Sequence, residues 1–335
     1  IQLKYLPLAP MPLDRMKMVI DMEIGGKLTN KHAATDAPAL TYDFRLLNIP
    51  SGLKSDLLAM VAVCKNEYLF GVNTALKNAG LSAEKVTPAC LGLVNAYLRS
   101  QKIPEKETVI LVDVGHELME IAILEEQRLY FARSAPGGGK KFTASLDKIL
   151  KVGPLKAAEF KHERAYLYPE GAQIPGKQEL VFQAALREGA DNIANAIRSS
   201  VMFCRAQAKL PKLDYQRVFL SGGGARLAGL REYLEKKIGR PVQMLDLSGG
   251  LDLRKLDAAS ARCFEGGASN MAIALGLAVI DADPQSFHFT LTPEVIVRKR
   301  NFWRRTVWGI AAGILLLVGL NWPLQNSDHA VAAAK

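Results

Sequence analysis

Three consecutive glycines, Gly222, Gly223 and Gly224, stand where a strand-like run, RVFLS, hands over to a helical one, ARLAGLREYLEKKIG. The free N–H groups and the dipole at the start of such a helix can receive an anion or the sugar-phosphate of a nucleotide. Glycines at a turn of this kind serve structure equally well, by adopting φ > 0 or by letting two backbones pack closely. Other residues that carry chemistry are dispersed. Cys64, Cys90, Cys204 and Cys263 lie far apart with no C-x-x-C pair, and none of the five histidines falls at metal-ligand spacing with another His or Cys. Neither a zinc site nor a disulfide framework is predicted, and a reducing cytosol fits.

The elements that must position such a turn are those of an α/β protein. With 335 residues, 49% of them hydrophobic, the chain can bury a large core and divides most naturally into two packed domains. Leu13, Met16, Ile20 and Ile24 fall at helical spacing within residues 11–24, and TYDFRLL (41–47) alternates as a strand does. LLAMVAVCK (57–65) is a continuous apolar strand followed by a helical run, NEYLFGVNTALKNAGL, with Gly80 as its stop. Three short strands then meander through 108–113, 118–124 and 128–134, separated by tight turns at 115–117 and 125–127. PGGGKK opens a helix with apolar positions at Phe142, Leu146, Ile149 and Leu150. A long helix over 178–208 carries the stripe Leu186, Ala190, Ile193, Ile197, Val201 and Cys204, read as core.

The formal charge of +10 has a local origin: Arg298, Lys299, Arg300, Arg304 and Arg305 crowd the approach to the charge-free run TVWGIAAGILLLVGLNWPL. About 19 residues come close to the roughly 20 needed to cross a bilayer. Phe302, Trp303 and Trp322 bracket the run where interfacial aromatics belong, and the basic flank places its N-terminal side in the cytosol. The expectation is therefore one C-terminal transmembrane helix, 302–324, contacting membrane lipid, with a short periplasmic tail, 325–335. A buried C-terminal helix is the plainer alternative, since Asn321 and Pro323 interrupt the run. No aromatic-rich basic stripe occurs elsewhere, so no nucleic-acid partner is predicted. The chain opens on Ile1 with neither a basic n-region nor an apolar h-region. That start reads as a cut, with an N-terminal segment of the natural protein missing.

Two blocks, VILVDVG…MEIAIL…RLYFARSAPGGG and VFLSGGGARLAGLREYLEKKIGRPVQML, resemble the second half of an actin-like ATPase fold. More narrowly they resemble the type IV pilus assembly protein PilM family and the related GspL cytoplasmic-domain family of type II secretion. LPLAPMPLDRMKMVIDMEI, LTYDFRLLN, LLAMVAVCKNEYLFGVNTALKNAGL, LGLVNAYL and ASNMAIALGLAVI fit the same families, so the resemblance covers most of residues 7–280. It implies an actin-like (ribonuclease H-like) two-subdomain fold, N-terminally incomplete: 1–104 as the remainder of the first subdomain and 105–282 as the second. Residues 283–301 would form a juxtamembrane linker.

The resemblance also assigns roles. It makes Asp113 the carboxylate that faces metal and phosphates, holding a hydrated Mg²⁺. Gly115 lets the backbone turn near phosphate, Gly137 and Gly138 form the glycine pair after the third strand, and Ser221, Gly222, Gly223 and Gly224 form the adenosine-binding turn. The implied cofactor is ATP with Mg; no catalytic residue is implied. Two departures weaken the clamp. His116, Glu117 and Leu118 replace small hydroxyl residues, setting a carboxylate where phosphate would lie. The first phosphate hairpin, with its D-x-G pattern, is absent from this sequence.

FHFTLTPEVIVRKRNFWRR before the apolar run resembles the start of PilN, the membrane partner of PilM; an ordinary juxtamembrane linker is the other reading. The implied function is a scaffold of the inner-membrane assembly platform for type IV pili or type II secretion. It would be single-pass in the bacterial inner membrane with its globular part cytoplasmic. PilN-like or PilO-like platform proteins and the motor ATPase are its implied partners. An active ATPase or sugar kinase of the same superfold is the alternative, because fold alone does not fix function. A cell-division tether like FtsA fits less well, since its terminal helix is amphipathic and this one is not.

Overall fold

The computed structural model describes residues 1–25, 40–49, 57–100, 106–169, 171–251, 253–293, 296–298, 302, 306 and 308–317. Its chain forms two compact units: a larger one of Ile1–Asp36, Tyr42–Val63 and Thr87–Thr290, and a smaller one of Ala37–Thr41, Cys64–Val86 and Leu291–Lys335.

In the order of the chain, β1 (Gln2–Leu8), α1 (Leu13–Gly25), β2 (Leu40–Leu47), β3 (Leu57–Lys65), α2 (Asn66–Asn78) and α3 (Ala89–Ser100) come first. The three strands form a sheet in the order β1-β3-β2. The continuous apolar run of β3 is thereby explained, since a central strand covered on both faces has no solvent side to mark with polar residues. Residues 58–64 are all buried. β1 was not foreseen; Pro7 argues against a strand, and is tolerated here because β1 is an edge. On α1, Met16, Ile20 and Ile24 are buried as the spacing predicts, whereas Leu13 is exposed.

The meander follows as β4 (Thr108–Val114), β5 (Leu118–Glu125) and β6 (Arg128–Pro136), then α4 (Gly139–Leu150), α5 (Pro154–Arg164) and α6 (Lys177–Ala208). Next come β7 (Arg217–Ser221), α7 (Leu230–Ile238), β8 (Val242–Met244), α8 (Ala258–Gly267) and α9 (Ala272–Ala278). The second sheet runs β6-β5-β4-β7-β8. β4, β5 and β6 are antiparallel, while β7 pairs parallel with β4 and β8 parallel with β7. Parallel neighbours need long crossovers, which α4 to α6 and then α7 supply.

Every residue of β4 is buried. One core joins Ile110, Val112 and Val114 to Phe142 and Leu146 of α4 and to Leu186, Ala190, Ile193, Ile197 and Cys204 of α6. The α6 stripe is therefore core, as its spacing predicts; on α4, however, Ile149 faces solvent. Helix α3 packs against β4, β5 and β6 and, most extensively, against α9. That crossing depends on two glycines: a Cβ on Gly276 would stand 1.7 Å from the Gly92 carbonyl oxygen, and one on Gly92 would stand 2.7 Å from that of Ile273.

Of the expected membrane span, residues 308–317 are helical. Residues 318–324 and the expected tail 325–335 lie outside the described residues. Among the described residues no helix is long and apolar enough to cross a membrane.

Candidate functional site

β4 and β7 run parallel with Asp113 in register with Ser221, so both residues reach the same end of the sheet. There the Ser221 hydroxyl donates to Asp113 Oδ2 at 2.8 Å. Across the antiparallel pair Asp113 stands opposite Glu120, which accepts a hydrogen bond from the Ser134 hydroxyl at 2.7 Å. Both carboxyl groups are buried. Burial pushes each above the usual carboxylate range, because the charged form loses its water; the serine hydroxyl pulls each back in part. For Glu120 the neighbouring Asp113 charge raises it further.

The glycine turns hold one another. Gly139 N donates to Gly115 O at 2.8 Å, Lys140 N to His116 O at 2.8 Å, and Gly137 N to Glu117 O at 2.9 Å. A Cβ on Gly138, whose φ is +82°, would meet Gly115 O at 2.4 Å, so only glycine fits. The pair Gly137 and Gly138 thus locks the α4 start onto the turn after β4, and the first amides of α4 are spent on protein carbonyls. Gly222, at φ +86°, is demanded in the same way: its Cβ would meet Val114 O at 2.6 Å, and its N–H donates to Ser269 O at 2.7 Å. The structure corrects one expectation here. Gly222 leads into a single 3₁₀ turn, Gly223–Arg226, and α7 starts only at Leu230, so the glycines do not sit at the head of a full helix dipole.

Beside these turns lies a cavity of about 400 Å³, walled by Gly115, Gly139, Gly223, Gly224 and Phe142 and carrying His116, Lys161, His162, Glu163 and Arg226 on its lining. Of the residues singled out in the sequence, Gly115, Gly223 and Gly224 reach this cavity. Asp113, Gly137, Gly138, Ser221 and Gly222 do not line it; they sit in the strand ends and turns next to the residues that do. Glu117, the unfavourable residue of the turn, does not line it either, and pairs with Lys140 at 2.6 Å with both side chains largely exposed.

Lys161 is the residue that the sequence reading missed. Its ammonium donates to Gly139 O at 3.2 Å and to the Thr143 hydroxyl at 3.0 Å. No ion pair to a carboxylate is found for it or for Arg226 among the described residues. Burial holds the Lys161 ammonium below its ordinary value, as expected of a cation with only neutral partners. The run KHER at the end of α5 is plain in the sequence, but nothing in its spacing ties it to the glycine turn that opens α4. Two cations and four glycine walls suit an anionic group such as phosphate, although the Glu163 carboxylate shares the lining. For Mg²⁺ the donor set is poorer: Asp113 is engaged by Ser221, and among the described residues no group of three or more His, Cys, Asp or Glu side chains could hold a metal ion.

Comparison with known proteins gives three findings. The family model for type IV pilus assembly protein PilM matches residues 36–281. A solved structure of a PilM-PilN type IV pilus biogenesis complex aligns at 22% identity and a TM-score of 0.63, covering 84% of this chain and 77% of that one. MreB5 of Spiroplasma citri, solved with AMPPNP and with ADP, aligns at 13% identity and TM-scores of 0.40 and 0.41. These alignments cover 57% and 66% of this chain, and 58% and 66% of the other chains, and are too distant to bear on the site. Among curated proteins none matches.

Proposed function

Because the chain belongs to the PilM family of type IV pilus assembly proteins, with an actin-like α/β fold, we propose that it is a membrane-held scaffold of the pilus assembly platform that docks a PilN-like partner. The family match over residues 36–281 carries this reading, supported by the likeness to a complex in which a PilM is solved with PilN. Such a scaffold needs a stable face for a neighbour and an attachment to the bilayer, with no chemical step.

The attachment is the C-terminal segment on the inner membrane, with the globular part on the cytoplasmic side. Trp308, Ile310, Ile314, Leu315, Leu316 and Leu317 are exposed in the helical stretch 308–317, behind the basic cluster at 298–305. Apolar side chains in this density, preceded by cations, favour a bilayer with anionic headgroups over water. Membranes carrying the tagged chain, once solubilised, are expected to yield PilN-like or PilO-like proteins on affinity purification. Recovery of the tagged chain alone, repeatedly, overturns the scaffold reading.

The cavity is the place for a nucleotide. Lys161 and Arg226 would hold its phosphates, and the walls at Gly115, Gly223 and Gly224 would allow close backbone approach; the bound nucleotide would serve to order the scaffold. Calorimetry with ATP is expected to show binding that Lys161→Ala weakens by about tenfold, the effect of losing one charge-assisted hydrogen bond of about 1.4 kcal/mol. Affinity untouched by Lys161→Ala and Arg226→Ala rules this cavity out as the phosphate site.

A further inference from the structure

The run KILKVGPLK, residues 148–156, carries three lysines and no acid. It forms the tip between α4 and α5, which pack against each other. Such a helix hairpin needs apolar residues on its inner side, and Phe142, Leu146, Leu150, Ala157 and Phe160 supply them to the core of the larger unit. Three further apolar residues at the tip have no place there: Ile149, Val152 and Leu155 are exposed, Leu155 to 86%. A leucine so little covered stands on a convex point of the surface.

The exposure is built into the turn. Lys151 takes the left-handed conformation that ends α4, and its N–H donates to Asp147 O at 2.7 Å. The Asp147 carboxylate accepts from Gly153 N at 2.7 Å, so the nearest acid in the sequence is spent on the loop backbone. Gly153, at φ +87°, and Pro154 at the first position of α5 then set the direction of the next helix. Lys148, Lys151 and Lys156 are exposed. Lys151 and Lys156 form no ion pair with a carboxylate among the described residues. Lys148 lies in the field of Glu188, which is already held by Lys141 at 2.8 Å and Ser145 at 2.9 Å. Single apolar residues on a surface need no explanation, but three within seven positions, interleaved with cations, do. Apolar tips that dip below the headgroups while lysines stay at their level suit an anionic bilayer. A folded partner would need a concavity shaped to this convex tip.

We propose that the α4–α5 tip is a membrane contact in addition to the C-terminal segment: Ile149, Val152 and Leu155 enter the headgroup region, and Lys148, Lys151 and Lys156 bind anionic headgroups. Three lysines at about fivefold apiece give about a hundredfold preference for an anionic surface. The strength of the contact rests on the C-terminal anchoring proposed above, which supplies the local concentration; the lipid preference of the tip does not. Once docked, the tip fixes which side of the larger unit faces the bilayer.

The test uses the full chain with Cys263→Ser, which leaves only the buried Cys64, Cys90 and Cys204, and a polarity-sensitive dye on Pro154→Cys. The chain is reconstituted in vesicles of pure phosphatidylcholine and of equal parts phosphatidylcholine and phosphatidylglycerol. In the anionic vesicles the dye is expected to shift blue and to be quenched by a bilayer-borne quencher. Both signals should fall severalfold in phosphatidylcholine, and in anionic vesicles at about 1 M salt, where charges are screened beyond about 3 Å. Lys148→Glu, Lys151→Glu and Lys156→Glu together, with an unchanged melting temperature, should return the dye to its aqueous emission. Aqueous emission from a chain that floats with the anionic vesicles overturns this inference alone. Equal quenching in both lipids, or in the triple variant, means insertion without recognition of anionic headgroups and also overturns it. A blue shift with no quenching means that protein, a second copy or a partner, covers the tip, and overturns it too. Flotation with anionic vesicles only, abolished in the triple variant, supports the tip and sinks the C-terminal anchor; flotation with neither overturns both.

Discussion

Asp113 shows how one residue type supports two readings until its surroundings are known. A carboxylate at the end of a strand can hold a hydrated cation, but this one is buried, bonded to Ser221 and set opposite Glu120. Its folded pKa lies above its unfolded value, so the folded state binds the proton more tightly. The stability from that proton is fully present below the ordinary aspartate value, near about 4, and is lost as the pH rises through the raised value. Asp113→Asn retains an acceptor for Ser221 and has no charge to desolvate. Thermal melts across pH are expected to show the variant melting above the wild type at neutral pH, with the difference closing below pH ~4. A variant that melts lower at neutral pH would show that the ionised carboxylate is needed.

At the scale of elements, closeness of approach decides which glycines matter. Gly276→Ala places a methyl group 1.7 Å from the Gly92 carbonyl oxygen, so α3 and α9 must separate. Urea unfolding is expected to record a loss of about 3 kcal/mol, at the upper end of overpacking costs. Gly71, inside α2, has no heavy atom within 4 Å of its Cβ position, and Gly71→Ala is expected to gain about 0.5–1 kcal/mol from the stiffer unfolded chain. Similar losses at both sites would show that helix propensity, not the crossing, governs them. Composition marks all these positions alike, which is why the α3–α9 contact was not legible in the sequence.

For the whole molecule, the question is what receives the apolar helix at 308–317. A bilayer predicts that the chain pellets with membranes and resists alkaline extraction. Leu315→Arg, at a cost of about 2.5–3.5 kcal/mol for a cation at mid-membrane depth, should shift the chain toward the extractable fraction. Full extraction of the wild type at high pH would point instead to a protein surface as the cover.

The sequence by itself determined much of the architecture. Hydrophobic period and turn residues depend on near neighbours in the chain, so the β4–β6 meander, the core stripe of α6, and the β7-turn-α7-β8 order could be read directly. The glycine turns were legible for the same reason, since positive φ and tight turns leave a local mark. What the tertiary structure alone decided was which side chains meet. It bonded Asp113 to Ser221 off the lining of the cavity, brought Lys161 from α5 and Arg226 from beyond β7 to that lining, and laid residues 287–290 along Asn95 from nearly two hundred positions away. Such meetings follow from sheet order and helix crossings, which no short window of sequence encodes. The three glycines that opened the reading serve both levels: Gly222 is a turn that the chain specifies, and Gly223 and Gly224 become cavity wall only once the sheet has closed beside them.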